Sequence, residues 1–91
     1  MEYIVIVRFD LSKPFAHWAS CFDEHEPARI ELGITTLFRY AVIGQQAAIY
    51  AVRTAQPRLV HDVIYAPSLR KEIEASGFIV GSEQITLCES E

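Results

Sequence analysis

The chain has 91 residues, of which 51% are hydrophobic, and its formal net charge is −4. This length predicts a single domain over residues 1–91, and folding alone would bury only about 60–65% of its unfolded surface. The excess of apolar residues therefore favours a partner subunit. The eight lysine and arginine residues are scattered, so neither nucleic acid nor an anionic membrane is expected as a partner.

The two cysteines, Cys21 and Cys88, form neither a CxxC pair nor a zinc-type spacing. Two separated thiols are typical of a reducing cytosol, although sequence separation leaves a disulfide between them open. No apolar run approaches the ~20 residues that cross a bilayer. The first residues lack the basic start and cleavage site of a signal peptide. We therefore expect a cytoplasmic protein.

The first predicted strand, Tyr3 to Phe9, is apolar on both of its alternating faces, which is typical of a strand covered on both sides. Helical spacing of apolar residues then predicts a helix over Phe15 to Phe22, with Ser12 as its N-cap. Pro27 should end or kink this helix because proline lacks a backbone N–H. A second short turn is predicted from Pro27 to Leu32.

A hairpin is predicted next. Gly33 provides a C-terminal stop for the preceding turn, and the second strand runs from Ile34 to Ile43. Residues 44–46, Gly-Gln-Gln, form a tight connection to a third strand over Ala47 to Arg53. This third strand is again apolar on both faces.

The last third of the chain repeats the pattern of helix and strand. A helical region opens at Pro57, and Pro67 interrupts it. Its buried stripe is predicted to be Leu59, Val60, Val63 and Ile64. A further helix is predicted over Ser68 to Ser76. The final strand is predicted from Ile79 to Cys88, weakened and bulged at Gly81.

The resulting order is β-α-β-β-α-β, the split βαβ or ferredoxin-like arrangement of the α+β class. It predicts a four-stranded antiparallel sheet with the helices on one face. Because the strands are apolar on both faces, we expect the second face to be covered by another copy, sheet against sheet, in a homodimer. The alternative is a monomer that leaves apolar surface exposed, which is uncommon.

Motifs spread over nearly the whole chain resemble the dimeric α+β barrel superfamily. They are Phe22-Asp23-x-His25-x-x-x-Arg29-x-x-x-Gly33-Ile34-Thr35, Arg39-Tyr40, Ala66-Pro67-Ser68-Leu69-Arg70, Ser76-Gly77 and Glu83-Gln84-Ile85-Thr86. That superfamily includes antibiotic-biosynthesis monooxygenase-like, haem-degrading and muconolactone isomerase-like families. The chain is most similar to a bacterial and cyanobacterial family of unknown function. The resemblance implies a dimer with a pocket between sheet and helices in each subunit.

His25 is the candidate catalytic residue. It lies near the end of the first helix, where it could act as a general base or bind an anionic substrate at the mouth of a pocket. The alternative is a structural histidine that caps helix carbonyls. The spacing of His17, Cys21 and His25 suggests a metal site on paper, but their directions around a helix are too spread to share one ion. No metal is therefore expected.

Two arginines are candidate ligand-binding residues. Arg29 follows His25 by one turn and could hold a carboxylate with two parallel hydrogen bonds, or it could pair with Glu26 or Glu31 on the surface. Arg39 lies within a strand and must find a partner or reach solvent. A ligand anion, a structural carboxylate and a carboxylate of a second subunit all remain open for Arg39.

Aromatic residues supply a candidate pocket wall, chiefly Trp18, Phe22 and Tyr50, although such residues often serve only as core. The chain has no P-loop, GxGxxG or Ser-His-Asp motif, so no nucleotide cofactor is expected. The resemblance implies a cofactor-independent oxygenase or an isomerase acting on an acidic aromatic or enolisable compound. A non-catalytic ligand-binding dimer and a purely structural dimer without a pocket are the alternatives.

Overall fold

The computed structural model describes residues 1–89 of the chain. Within these residues the elements, in chain order, are β1 (Tyr3–Asp10), α1 (Phe15–Glu24), α2 (Glu26–Glu31), β2 (Thr35–Ala41), β3 (Ala47–Thr54), α3 (Arg58–Ile64), a 3₁₀ turn (Pro67–Leu69), α4 (Arg70–Ala75) and β4 (Gln84–Glu89). The four strands form one antiparallel sheet in the order β2-β3-β1-β4. The predicted ferredoxin-like arrangement is confirmed.

The core lies between the sheet and the helices. Val5, Val7 and Phe9 of the central strand β1 are fully buried on this side. The Phe9 ring stacks on Phe78 with ring centres 4.1 Å apart, and it contacts Trp18 of α1 at 5.0 Å. Aromatic packing therefore joins the middle of the sheet to the first helix and to the chain that follows the last helix.

Prolines divide both helical regions, as the sequence predicted. Pro27 lies in the first turn of α2, directly after α1 has ended, and Pro67 opens the 3₁₀ turn between α3 and α4. The prediction of Ser12 as N-cap was wrong. Pro14 occupies the N-cap position of α1, and the Ser12 hydroxyl instead donates to the Gly77 carbonyl at 3.4 Å.

The predicted start of the last strand was also wrong, because β4 begins at Gln84 rather than at Ile79. The Ile79 N–H donates to the Asp10 carbonyl, and the chain then turns, with the Ser82 hydroxyl bonded back to the Ile79 carbonyl at 2.6 Å. Gly81 supplies the φ of +100° that this turn needs and forms no bulge in a strand. Side-chain hydrogen bonds of this kind compete with strand pairing.

The irregularity in the sheet lies in β2, where the pairing with β3 shifts between Thr36 and Phe38. A bulge adds one residue to one strand and so exchanges the faces of the residues that follow it. As a result Arg39 lies opposite Tyr50 on the helix side, whereas Tyr40 lies opposite Ile49 on the other side.

The sheet face away from the helices carries several large apolar side chains beside polar and charged ones. By the register, the apolar ones are Ile4, Ile6, Phe38, Tyr40 and Ile49, and the same face carries Arg8, Arg53, Gln84 and Thr86. The Tyr40 side chain is 63% exposed in the single chain. Apolar side chains thus lie on both faces of the strands, as predicted. Among residues 1–89, no helix combines the length and apolar character needed to span a bilayer.

Two glycines with almost the same backbone conformation provide a test of packing at the core edge. A Cβ atom on Gly77 (φ +98°) would lie 2.9 Å from Cβ of Lys13, whereas one on Gly81 (φ +100°) would meet nothing within 4 Å. We expect both alanine variants to lose about 1–3 kcal/mol through backbone strain, and Gly77→Ala to lose about 1–3 kcal/mol more through overpacking. Urea unfolding measures both, and equal losses would contradict the contact with Lys13.

Candidate functional site

A cavity of about 230 Å³ lies between the sheet and the helices, with mostly apolar walls. Its deep side is formed by Trp18 of α1 and Tyr50 of β3, whose exposed fractions are only 3% and 7%. His25 and Glu72 stand at its open side, and their side chains are 53% and 60% exposed. The cavity therefore has an enclosed apolar interior and a polar mouth.

Three aromatic rings build one continuous wall of the cavity. Trp18 and Phe22 lie one turn apart on α1 and stack with ring centres 4.7 Å apart. Tyr50 packs against both, at 6.0 Å from Trp18 and 4.9 Å from Phe22. The structure thus brings together the three aromatic residues that the sequence suggested for a pocket wall.

Two hydrogen-bond donors on this wall have no partner in the part of the chain that the structure describes. They are the indole N–H of Trp18 and the hydroxyl of Tyr50. No fully enclosed side-chain nitrogen or oxygen among residues 1–89 lacks a partner, so neither of these two donor atoms is fully enclosed. Burial raises the pKa of Tyr50, and its hydroxyl therefore stays protonated at neutral pH.

Arg29 of α2 is half-buried at the side of the cavity. Its Nη1 donates to the Phe22 carbonyl at 2.7 Å, its Nε donates to Oγ1 of Thr36 at 3.2 Å, and its guanidinium carbon lies 3.6 Å from the centre of the Phe22 ring. Burial lowers the pKa of Arg29. These contacts hold the guanidinium in place. Within residues 1–89 it forms no ion pair with Glu26 or Glu31.

His25 makes contacts through both of its ring nitrogens. Its Nδ1 lies 2.8 Å from the carbonyl oxygen of Cys21, and because a carbonyl only accepts, Nδ1 is the protonated nitrogen. The ring therefore caps the end of α1. Its Nε2 points the other way and lies 3.4 Å from Oε2 of Glu72 on α4, across the mouth of the cavity.

Sequence reasoning missed Glu72 as a site residue. Nothing in its spacing separates it from the other exposed glutamates of the last helix, and only the packing of α4 against the end of α1 brings it to His25. Cys21 of α1 also lines the cavity, and it forms no disulfide.

Arg39 lies apart from the cavity. Its Nε and Nη2 hold both carboxylate oxygens of Asp23, at 2.7 and 2.6 Å. The bulge in β2 turns Arg39 to the helix side, where Asp23 of α1 is within reach. The structure therefore places Arg39 in the structural ion pair that was one of its alternatives. This bidentate contact lowers the pKa of Asp23.

The possible metal ligands on α1 do not converge. Nε2 of His17 lies 2.9 Å from the carbonyl oxygen of Ala75, and the sulfur of Cys21 lies 3.9 Å from the same ring nitrogen. His25 points instead toward Glu72. In the described part of the chain, no three histidine, cysteine or acidic side chains are grouped as metal ligands would be.

The fold and the cavity together define a ferredoxin-like α+β protein with a mostly apolar cavity between its sheet and its helices. Solved structures similar to it include an uncharacterised NIPSNAP-like domain protein from Burkholderia xenovorans, at 16% identity and a TM-score of 0.62, with 99% of this chain and 85% of that chain covered. SnoaB, a cofactor-independent oxygenase from Streptomyces nogalater, is similar at 11% identity and a TM-score of 0.60, with 99% and 93% covered.

A third similar structure is the monooxygenase from the gene ActVA-Orf6 of Streptomyces coelicolor in complex with Nanaomycin D. It shares 12% identity and a TM-score of 0.57, with 98% of this chain and 87% of that chain covered. At such identities the likeness establishes the fold. The chain belongs to the family described as domain of unknown function DUF3764, whose model matches residues 1–90. No curated protein matches the chain.

The pair of Arg39 and Asp23 predicts an acid-sensitive contribution to stability. Since the pKa of Asp23 in the folded chain lies below its ordinary value of 3.8, the pair stabilises the fold above that pH and loses its effect as the pH falls through the folded pKa. We expect Asp23→Asn to lower the unfolding free energy by about 0.5–1 kcal/mol at pH 7, since both side chains are partly exposed.

Urea unfolding at a series of pH values provides the measurement. The difference between Asp23→Asn and the natural chain should shrink below about pH 3. Asp62→Asn, on the exposed side of α3, is the control, since the Asp62 carboxylate lies 3.7 Å from Nδ1 of His61 rather than in a bidentate arginine contact. A loss for Asp23→Asn that stays constant down to acid pH would exclude the ion pair as its cause.

Proposed function

We propose that the cavity binds a small planar aromatic or enolisable compound and that the protein oxygenates this compound without a cofactor. One observation carries the proposal: a mostly apolar cavity is lined by Trp18 and Tyr50, whose side-chain donors have no partner among residues 1–89. A ligand oxygen in the cavity can accept a hydrogen bond from such a donor, which supports both ligand-binding hypotheses over a purely structural dimer.

The size and the walls of the cavity favour a flat ligand of one or two rings. Its volume of about 230 Å³ is somewhat below the range of about 300–1,000 Å³ that is usual for sites that hold drug-sized ligands. Offset stacking against the aromatic wall would orient a planar ring. Arg29, with its positive charge beside Tyr50, favours a ligand that carries negative charge on oxygen.

The proposed chemistry begins with proton removal at the mouth. Nε2 of His25, with Glu72 beside it, takes a proton from the carbon next to a carbonyl. Tyr50, Trp18 and Arg29 stabilise the enolate oxygen. The enolate supplies the electrons that reduce O₂. The carbon that was a CH₂ group in the substrate is oxidised to a carbonyl. One oxygen atom of O₂ enters this carbonyl, and the other leaves as water with the two hydrogens of the CH₂ group. The similarity to SnoaB, described as a cofactor-independent oxygenase, supports this reaction type.

Oxygen uptake with 2-tetralone, a two-ring enolisable ketone, tests the activity. We expect one O₂ consumed per ketone oxidised, measured with an oxygen electrode and by chromatography of the product. His25→Gln, whose amide can still donate to the Cys21 carbonyl, should slow turnover about 100-fold or more while ligand affinity is retained, because general base catalysis is lost.

His61→Gln is the matched control, since His61 is an exposed histidine of α3 outside this cavity. It should leave turnover unchanged. Unchanged turnover in His25→Gln would reject His25 as a catalytic residue.

A non-catalytic ligand-binding protein is the second candidate function. The hydrogen bond from His25 to the Cys21 carbonyl favours it, because this contact gives the histidine a structural role without any chemistry. Saturable binding of 2-tetralone without oxygen uptake would support this candidate over the oxygenase.

We also propose that two copies assemble as a homodimer through the free sheet faces. Ile4, Ile6, Phe38, Tyr40 and Ile49 share that face with Arg8 and Arg53, and large exposed apolar patches are uncommon on monomers. Two such sheets would pack about 10 Å apart, as in other layered folds. The free thiols of Cys21 and Cys88 support a reducing, cytoplasmic setting for the dimer.

Native mass spectrometry and gel filtration test this assembly. We expect twice the chain mass for the natural protein and the single mass for Tyr40→Glu, because a charge in the interface would be buried without a partner. Leu87→Glu is the matched control. Leu87 and Tyr40 both lie on edge strands and are 60% and 63% exposed. Leu87, however, lies on the helix side of the sheet, opposite Val5. A monomeric natural protein would refute the dimer.

A further inference from the structure

We propose that residues 65–75 form a strap across the mouth of the cavity, and that the pair of His25 and Glu72 holds this strap closed only while His25 is protonated. The strap contains the 3₁₀ turn and α4. The proposal concerns access to the cavity rather than the compound that binds there, so it does not depend on the proposed function.

The strap is anchored at both ends. Before it, Ile64 of α3 is 4% exposed, and after it, Phe78 is 5% exposed and stacks on Phe9. Next to Phe78, the Gly77 carbonyl accepts a hydrogen bond of 2.8 Å from the N–H of Ser12. The two ends therefore stay with the core when the residues between them move.

Between these anchors the strap is weakly held. None of residues 65–75 is buried. Leu69 and Ile73 line the cavity from above, and both are only half-buried. A helix of six residues, such as α4, is marginal without tertiary contacts. Because segments with few buried apolar contacts open at a low cost in free energy, this part of the helix layer is expected to open locally.

Two side chains of the strap form hydrogen bonds or ion pairs with the rest of the described chain. Tyr65 donates to Glu83 close to the first anchor. Glu72 lies 3.4 Å from Nε2 of His25, across the mouth of the cavity. The pair of His25 and Glu72 is therefore the contact that closes the mouth.

The sign of this contact depends on the charge of His25. Nδ1 donates to the Cys21 carbonyl, so the neutral ring presents a lone pair at Nε2, which repels the carboxylate oxygen of Glu72. When the ring is protonated, Nε2 becomes a donor and forms a charge-assisted hydrogen bond with Glu72. Uptake of a proton by His25 thus closes the strap, and loss of this proton releases it.

Other titratable groups surround the pair. Nε2 of His17 lies 2.9 Å from the Ala75 carbonyl, and because a carbonyl only accepts, this nitrogen donates in either charge state of the ring. The remaining charged or titratable groups on the neighbouring elements are Cys21, Asp23 and Glu24 on α1, Glu26 and Arg29 on α2, Tyr50 in the sheet, and Arg70, Lys71 and Glu74 on α4. Single variants are therefore needed to assign the switch to His25.

Acrylamide quenching of Trp18 fluorescence measures the opening. Trp18 is the single tryptophan of the chain, is 3% exposed and lines the cavity behind the strap. Histidine ordinarily changes its charge between about pH 5 and pH 8. We expect the quenching constant of the natural protein to be about threefold larger at about pH 8 than at about pH 5, a factor typical of an exposed ion pair.

Two variants assign this pH dependence. Glu72→Ala and His25→Gln should abolish it, and Glu72→Ala should be quenched at both pH values as strongly as the natural protein is at about pH 8. Glu74→Ala and His61→Gln are the matched controls, since neither residue lines the cavity. Both controls should keep the pH dependence of the natural protein.

Amide hydrogen exchange distinguishes movement of the strap from unfolding of the whole chain. At about pH 5, the amides of α4 should exchange about threefold faster in Glu72→Ala than in the natural protein. The amide of Ser12, which is bonded to Gly77 at the fixed end, should exchange at the same rate in both proteins.

Three results would overturn the proposal. They are quenching of the natural protein that does not change with pH, a pH dependence that survives in Glu72→Ala or His25→Gln, and exchange at Ser12 that accelerates as much as exchange in α4. All of these measurements use the protein without a ligand, so such a failure leaves the proposed function standing. Conversely, a failure of 2-tetralone to bind would leave the strap and its switch intact.

Discussion

The helix layer depends on the contacts of one side chain, Phe9. It lies fully buried on the central strand β1 and touches Trp18, Tyr50 and Phe78. Truncation of a buried phenylalanine typically costs about 3–5 kcal/mol. Because these neighbours come from α1, β3 and the chain after α4, the same ring sets the spacing between layers and the position of the cavity's aromatic wall.

The cavity itself follows from the short helices above that ring. Proline-broken segments of six to ten residues cannot cover a four-stranded sheet as completely as two uninterrupted helices would. The junction between α1 and α2 leaves His25 at the opening, and α4 brings Glu72 to face it. A local backbone constraint, the missing proline N–H, thus produces both the empty volume and its polar entrance.

Much of this was readable from the sequence, because it depends on local rules. Apolar periodicity predicted the order of the elements, and helical spacing predicted the helix over Phe15 to Phe22 with His25 near its end. Two features depended on contacts distant in sequence. Glu72 reaches His25 only because α4 packs on α1. Arg39 is turned toward Asp23 by a bulge that no turn residue in the sequence predicts. The predicted start of β4 was wrong because the Ser82 hydroxyl donates locally to the Ile79 carbonyl and also accepts from the Asp10 N–H.

The bulge at residue 37 has one more consequence, which concerns solubility. β2 is an edge strand, and the unpaired backbone of a regular edge is a template on which strands of other molecules can add. An extra residue interrupts the spacing of those N–H and C=O groups and increases the local twist. The extra residue that exchanges the faces of β2 therefore also hinders strands of other molecules from pairing with this edge and causing aggregation.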